Sequence, residues 1–224
     1  IVFRGYDCAV HGVLNLAIMH YRIMIYFFVI VLAGCATTPQ QSTAIKPAKT
    51  VVIEAAVKEQ MIDTARFNIL GRIAVQDRSQ SSSGSFRWKH WPANDEIILF
   101  TPLGQVVAEI SRNPQGVRLI TSKLEAFYAE DVEGLTQEVL GWRLPLSSLQ
   151  YWIQGIHSPF TRAEKDFNEK DQVMTIRQDG WEIHYGSYTA AQANQPNQPN
   201  LPRRLDLTYD SLRIKLIVDE WKAE

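Results

Sequence analysis

Phe67-Asn68-Ile69-Leu70-Gly71-Arg72-Ile73-Ala74-Val75-Gln76 alternates by twos, with Phe67, Ile69, Gly71, Ile73 and Val75 on one side and Asn68, Leu70, Arg72, Ala74 and Gln76 on the other. A period of two puts every second side chain on the same face of an extended chain, so this stretch predicts a strand with one apolar face. The signal recurs outward from it. Residues 77–84 are polar and Ser-rich and read as a hairpin loop, after which Ser85, Arg87 and Lys89 alternate with Phe86, Trp88 and His90. Residues 97–101 and 105–111 flank Pro102-Leu103-Gly104, and Asn113-Pro114-Gln115-Gly116 turns into 117–121. Residues 172–177, 181–188, 205–209 and 212–219 read as further strands. Short strands at regular turn spacing predict a curved antiparallel sheet.

Three segments have helical period instead. In 51–66, Val52, Ala55, Ala56, Glu59 and Ile62 share a face; in 131–140, Val132, Leu135, Val139 and Leu140 form a stripe behind the early acids Asp131 and Glu133; residues 145–155 carry Leu146, Leu149, Trp152 and Ile153. Residues 192–202 are rich in Asn, Gln and Pro and read as a long mobile loop. The expected architecture is α+β: one domain, residues 51–224, a strongly curved antiparallel sheet with helices placed over it.

Upstream of that domain the chain carries an address. It opens on Ile1, and its first methionine is Met19. Translation is expected to begin at Met19 or Met24, leaving 1–18 as an upstream extension. Arg22 is followed by an uncharged apolar run, 23–33, and then by Gly34-Cys35. That run fits the roughly 7–15-residue apolar region of a secretory signal and falls short of the ~18 residues of a spanning helix. Leu32-Ala33-Gly34-Cys35 resembles the bacterial lipobox, in which the Cys thiol is acylated and the chain is cut before it. Residues 19–34 are thus expected to be a lipoprotein signal, Cys35 the lipidated residue, and the Thr-, Pro-, Gln- and Ser-rich stretch 35–50 a flexible tether. By the same resemblance, Ala36 and Thr37 after Cys35, rather than Asp, imply sorting to the outer membrane, facing the periplasm. Cys8 is the other cysteine, so a chain cut at Cys35 has no disulfide and must be held by its core.

Known catalytic signatures are missing from the sequence. It has no GxxxxGK[ST], HExxH, CxxC or GxSxG, and its five histidines are scattered. The acids read as spread over solvent faces, and His90 and His184, at strand ends, as structural. A net charge of −1 gives no basic surplus for nucleic acid. The expectation is a non-enzymatic, monomeric protein with no cofactor, metal site or catalytic residue.

Large apolar side chains stand out instead. Phe86, Trp88, Phe100, Trp142, Leu149, Trp152, Trp181, Ile183, Tyr185, Leu207 and Leu216 fall on inward positions. Periodicity leaves open whether they fill a core or line a hydrophobic cavity. The turn Thr101-Pro102-Leu103-Gly104-Gln105 places Leu103 at a hairpin tip, where burial is hard; on a chain tethered to a bilayer, Pro102, Leu103 and Gly104 can form a membrane-inserting finger.

Phe86-Arg87-Trp88, Thr101-Pro102-Leu103-Gly104, Leu144-Pro145-Leu146-Ser147-Ser148-Leu149, Trp152-Ile153-Gln154-Gly155, Trp181-Glu182-Ile183-His184-Tyr185-Gly186, Arg213-Ile214-Lys215-Leu216 and Asp219-Glu220-Trp221, in this order behind a lipobox, resemble the LolB family of outer-membrane lipoprotein receptors. The resemblance implies an unclosed antiparallel barrel with helices as a lid over a hydrophobic cavity. It implies acceptance of the acyl chains of client lipoproteins from the periplasmic carrier LolA and their release into the inner leaflet of the outer membrane. Leu103 matches the protruding loop leucine of the family. The alternatives are a lipid- or lipopolysaccharide-binding outer-membrane lipoprotein, which a basic cavity rim would favour, and a lipid-anchored hydrolase.

Overall fold

β2 (Phe67–Gln76) is the strand that the period of two predicts, and it lies at the centre of a twelve-stranded antiparallel sheet. The computed structural model describes residues 46–55, 66–78, 80–189 and 200–222. In chain order, the other elements are β1 (Lys49–Ile53), β3 (Ser81–Trp91), β4 (Asn94–Phe100), β5 (Val106–Asn113), β6 (Gly116–Thr121), β7 (Ala126–Ala129), α1 (Val132–Leu140), α2 (Leu146–Trp152), β8 (Ala163–Phe167), β9 (Val173–Gln178), β10 (Trp181–Tyr188), β11 (Pro202–Tyr209) and β12 (Leu212–Lys222). The strand order is β1-β8-β9-β10-β11-β12-β2-β3-β4-β5-β6-β7. The join is β12 against β2, with Ile214 opposite Val75 and Leu216 opposite Ile73, so the carboxy-terminal strands extend the amino-terminal ones. β1 and β7 each have one neighbour, and the sheet is open.

Alternation makes the core. Ile69, Phe86, Trp88, Ile97, Ile110, Leu119, Ile183, Leu205, Leu207, Ile214 and Leu216 all turn to one face and pack with Val132, Leu135, Leu146, Leu149, Trp152 and Ile153 of the two helices. Gly71 is required here: a Cβ would lie 2.3 Å from the Ile217 carbonyl oxygen and 2.8 Å from the Phe86 ring, so the missing side chain lets Phe86 lie over β2.

α1 ends where its sequence says, whereas α2 stops at Trp152, short of the expected 155. The Asp131 carboxylate accepts the Gly134 N–H at 2.6 Å as an N-cap, and Gly141, with φ +81°, stops α1 and donates to Gln137 O. α2 is tied to both halves of the sheet. Trp152 Nε1 donates to Gln178 Oε1 on β9 at 2.9 Å, Tyr185 OH on β10 donates to Trp152 O at 2.8 Å, and Arg112 on β5 donates to Gln150 at 3.3 Å.

Several expectations are corrected. The helix expected over 51–66 does not begin as one: Lys49–Ile53 is a strand paired with β8, and 56–65 lie outside the described residues. An edge strand offers a row of open N–H and C=O groups, and that outweighs a weak amphipathic pattern. The same pairing takes Lys49 and Thr50 out of the expected tether. Ser81, Ser82, Ser83 and Gly84 belong to β3 rather than to a loop, paired with β2. Most of the 192–202 loop lies outside the described residues, and Pro202 already opens β11. β7 and β8 carry no apolar alternation that would announce them. The acids are not all on solvent faces, since Asp95 and Asp166 are buried. The upstream extension, the signal segment and Cys35 lie outside the described residues.

Candidate functional site

The turns β2–β3, β4–β5, β6–β7, β9–β10 and β11–β12 gather at one end of the sheet, as the antiparallel registers require. At this rim Thr101-Pro102-Leu103-Gly104-Gln105 is a tight three-residue loop. Gly104 N donates to Thr101 O at 2.9 Å, Thr101 N to Gln105 O at 2.8 Å and Gln105 N to the Thr101 hydroxyl at 3.2 Å. Gly104 takes φ +82°, a conformation that glycine adopts without steric cost. The loop is closed by its own backbone, and Leu103 stands off it 89% exposed.

Directly inside the rim is a cavity of about 220 Å³ lined by Ile73, Val75, Leu99, Phe100, Val107, Leu140 and Trp142, with Gln80 and Ser82 to Gly84 at its polar side. Phe100 ends the strand before the Leu103 turn and Val107 is the second residue of the strand after it, so the finger and the cavity share a frame. Gln80 Nε2 donates to Gly141 O at 3.1 Å, a bond between the β2–β3 turn and the end of α1. A second cavity, of about 210 Å³, lies among Trp152, Trp181, Tyr209, Leu212, Glu133 and Arg143.

The eleven inward residues do not line one space. Ten of them, all but Phe100, belong to the buried cluster. Phe100 is half-buried, because alternation along β4 turns Asp95, Ile97 and Leu99 inward and leaves Phe100 on the other face, opposite Ser85. Phe100 and Trp142 line the rim cavity; Trp152 and Trp181 line the second. Trp88, Trp152 and Tyr185 have polar atoms pinned by specific bonds, and burial pushes the Tyr185 phenol well above its usual pKa, leaving a neutral donor. Period counting missed Ile73, Val75, Leu99, Val107 and Leu140 as lining residues. A signal existed for two of them: Leu99 and Val107 bracket the exposed turn.

The opposite end is polar inside. Asp95, buried at the β3–β4 turn, accepts Trp88 Nε1 at 2.7 Å and Arg112 Nε at 2.6 Å, and lies 2.8 Å from His90 Nδ1. His90 is fully buried, stacked on Phe67.

Residues 65–221 match the family described as outer membrane lipoprotein LolB. This chain belongs to the LolB family. Relatives named outer-membrane lipoprotein LolB include one from Nitrosomonas europaea, 40% identical over 91% of this chain and 93% of that protein. Others are from Thiobacillus denitrificans, 34% identical over 86% of this chain and 92% of that protein, and Chromobacterium violaceum, 30% identical over 90% and 98%. The LolB match spans β2 to β12, and with them the rim, the finger and both cavities.

Proposed function

We propose that this chain is lipidated at Cys35 in the outer membrane, accepts the acyl chains of lipoproteins from the periplasmic carrier LolA, and releases them into the inner leaflet of that membrane. The observation that carries the reading is Leu103: an exposed leucine on a self-closed turn whose two strands, through Phe100 and Val107, line an apolar cavity. Contact with a bilayer and access to the interior are thereby joined in one hairpin.

The open sheet then acts as an unclosed barrel, and α1 and α2 as its lid. A cavity of about 220 Å³ is below the roughly 300–1,000 Å³ of ordinary ligand pockets, so entry of an acyl chain requires the helices to shift. The rim tie that resists this shift is the exposed Gln80–Gly141 bond, worth about 0.5–1.5 kcal/mol net. Each CH₂ moved from water to an apolar site gains about 0.8 kcal/mol, so lipid chains cross the aqueous space only from one apolar site to another. Transfer runs down a gradient of affinity, from carrier to receptor to bilayer. A lipopolysaccharide-binding role would want a basic rim. Instead the rim turns carry Asp77, Glu125, Asp179 and Asp210 beside Arg78 and Lys123, and Arg78 is paired with Asp210 at 2.8 Å.

The test mixes carrier loaded with an acylated lipoprotein and a Cys35→Ala form of this chain. Cargo should move across. Leu103→Glu should keep acceptance and slow release into liposomes. Release at the wild-type rate would overturn the role of the finger, and no movement of cargo at all would overturn the reading as a whole.

A further inference from the structure

The rim has a second tip built on the same plan. Thr121-Ser122-Lys123-Leu124-Glu125, between β6 and β7, repeats the bonds of the Leu103 turn: Leu124 N donates to Thr121 O at 2.9 Å, and Thr121 N to Glu125 O at 3.0 Å. The Thr121 hydroxyl accepts Lys123 N at 3.3 Å. In both loops the fourth residue is left-handed. In the first it is Gly104, as such three-residue hairpins prefer; in the second it is Leu124, at φ +63°. The other non-glycine residues with positive φ among those described are Ala93 and three aspartates, small or locally hydrogen-bonding types. A leucine here strains the backbone, and the structure gains no packing in return, for Leu124 is 85% exposed.

Leu103 and Leu124 crown alternate hairpins of the same rim. β5 and β6 separate them, so the tips stand about 10 Å apart, two strand spacings. Val106 and Val107, both exposed on β5, fill the interval, and Ser122 N donates to Val107 O at 3.0 Å, tying the second turn to that strand.

We propose that Leu124 is a second bilayer-inserting residue, and that the Leu103 and Leu124 tips together seat the rim on a phospholipid surface with the cavity mouth facing it. The occupant is a bilayer because the patch continues the Leu103 finger along one edge and its flanking charges, Lys123 and Glu125, cancel. One inserted point leaves the protein free to pivot; two define an edge and fix which way the cavity opens. The inference rests on the membrane role of Leu103.

The experiment uses the protein purified from membranes, cut and lipidated at Cys35 and so without another free thiol, and reconstituted in vesicles of phosphatidylethanolamine and phosphatidylglycerol. A polarity-sensitive fluorophore is attached to Leu103→Cys in one sample and to Leu124→Cys in another. Both should report an apolar setting and resist quenching by aqueous iodide. If the Leu124 probe stays in water while the Leu103 probe inserts, the second tip is overturned and the first stands; if both stay in water, both fall. Leu124→Gly keeps the left-handed turn and removes the apolar group. It should unfold at no lower temperature than the wild type yet release cargo roughly tenfold more slowly, the scale of one leucine withheld from lipid. Release at the wild-type rate would overturn the proposal.

Discussion

The two ends of the same strands are built on opposite principles. At the β3–β4 end, Trp88, His90 and Arg112 converge on the buried Asp95 carboxylate, with Phe67, Trp88, His90 and Trp221 packed as an aromatic group around it. At the rim, apolar side chains reach solvent, a cavity lies just inside, and the Gln80–Gly141 bond spans the gap to α1. Buried polar groups are costly to separate, because each partner left behind loses its solvation, whereas an exposed hydrogen bond is exchanged for water at small cost. The difference teaches that the buried polar bonds concentrate resistance at the β3–β4 end, while the rim is tied to α1 by an exposed bond.

The largest expected effect breaks the rigid end. Asp95→Ala leaves the Arg112 charge and the Trp88 N–H without their acceptor and should lower stability by about 3–5 kcal/mol in urea unfolding. A loss below about 1 kcal/mol would mean that this end is not pinned by the carboxylate. Next is the seam between α2 and β9. Gln178, buried, accepts from Trp152 Nε1 and Ser158 N and donates to Ser158 O, so Gln178→Ala should cost about 2–3 kcal/mol and loosen the helices, read as faster amide exchange in α2. Gln80→Ala should leave global stability within about 0.5 kcal/mol and speed exchange in the last turn of α1. Equal effects of the Asp95 and Gln80 changes would erase the contrast.

The smallest effect is with acid. The Arg78 backbone N–H and the Ser211 hydroxyl hold the Asp77 carboxyl below the usual carboxylate range. A depressed carboxylate stabilises the fold above its unfolded pKa of about 3.9, and the gain is lost as pH falls through the lower folded value. The tie between the β2–β3 and β11–β12 turns should therefore persist at neutral pH and loosen only in strong acid. The exchange rate of the Arg78 amide against pH checks this, and Asp77→Asn should flatten the profile.

How much was legible varies with the reach of the signal. Leu103 could be placed at a tip because Pro102 and Gly104 stand on either side of it. Leu124 could not, since nothing in Ser122-Lys123-Leu124 announces a left-handed leucine. Phe100 is expected inward for its size, but the period of two that runs through Asp95 and Ile97 gives that place to Leu99. Asp95 falls among the acids that read as spread over solvent faces, and it is buried with Arg112, which arrives from the next hairpin, as its partner.

The sequence by itself determined the β2 to β6 and β9 to β12 strands, the apolar face they share, and the ends of α1. Those are set by side chains within a few residues of one another, through alternation, capping and turn chemistry. Only the tertiary structure decided that Lys49–Ile53 is a strand, that β7 and β8 exist, that Asp95 is buried, and that two leucines stand on one rim. The partners involved are distant in sequence: the Thr50 hydroxyl meets Asp166 across 116 residues. A short segment without strong local preference takes whatever hydrogen-bonding edge the assembled sheet presents to it.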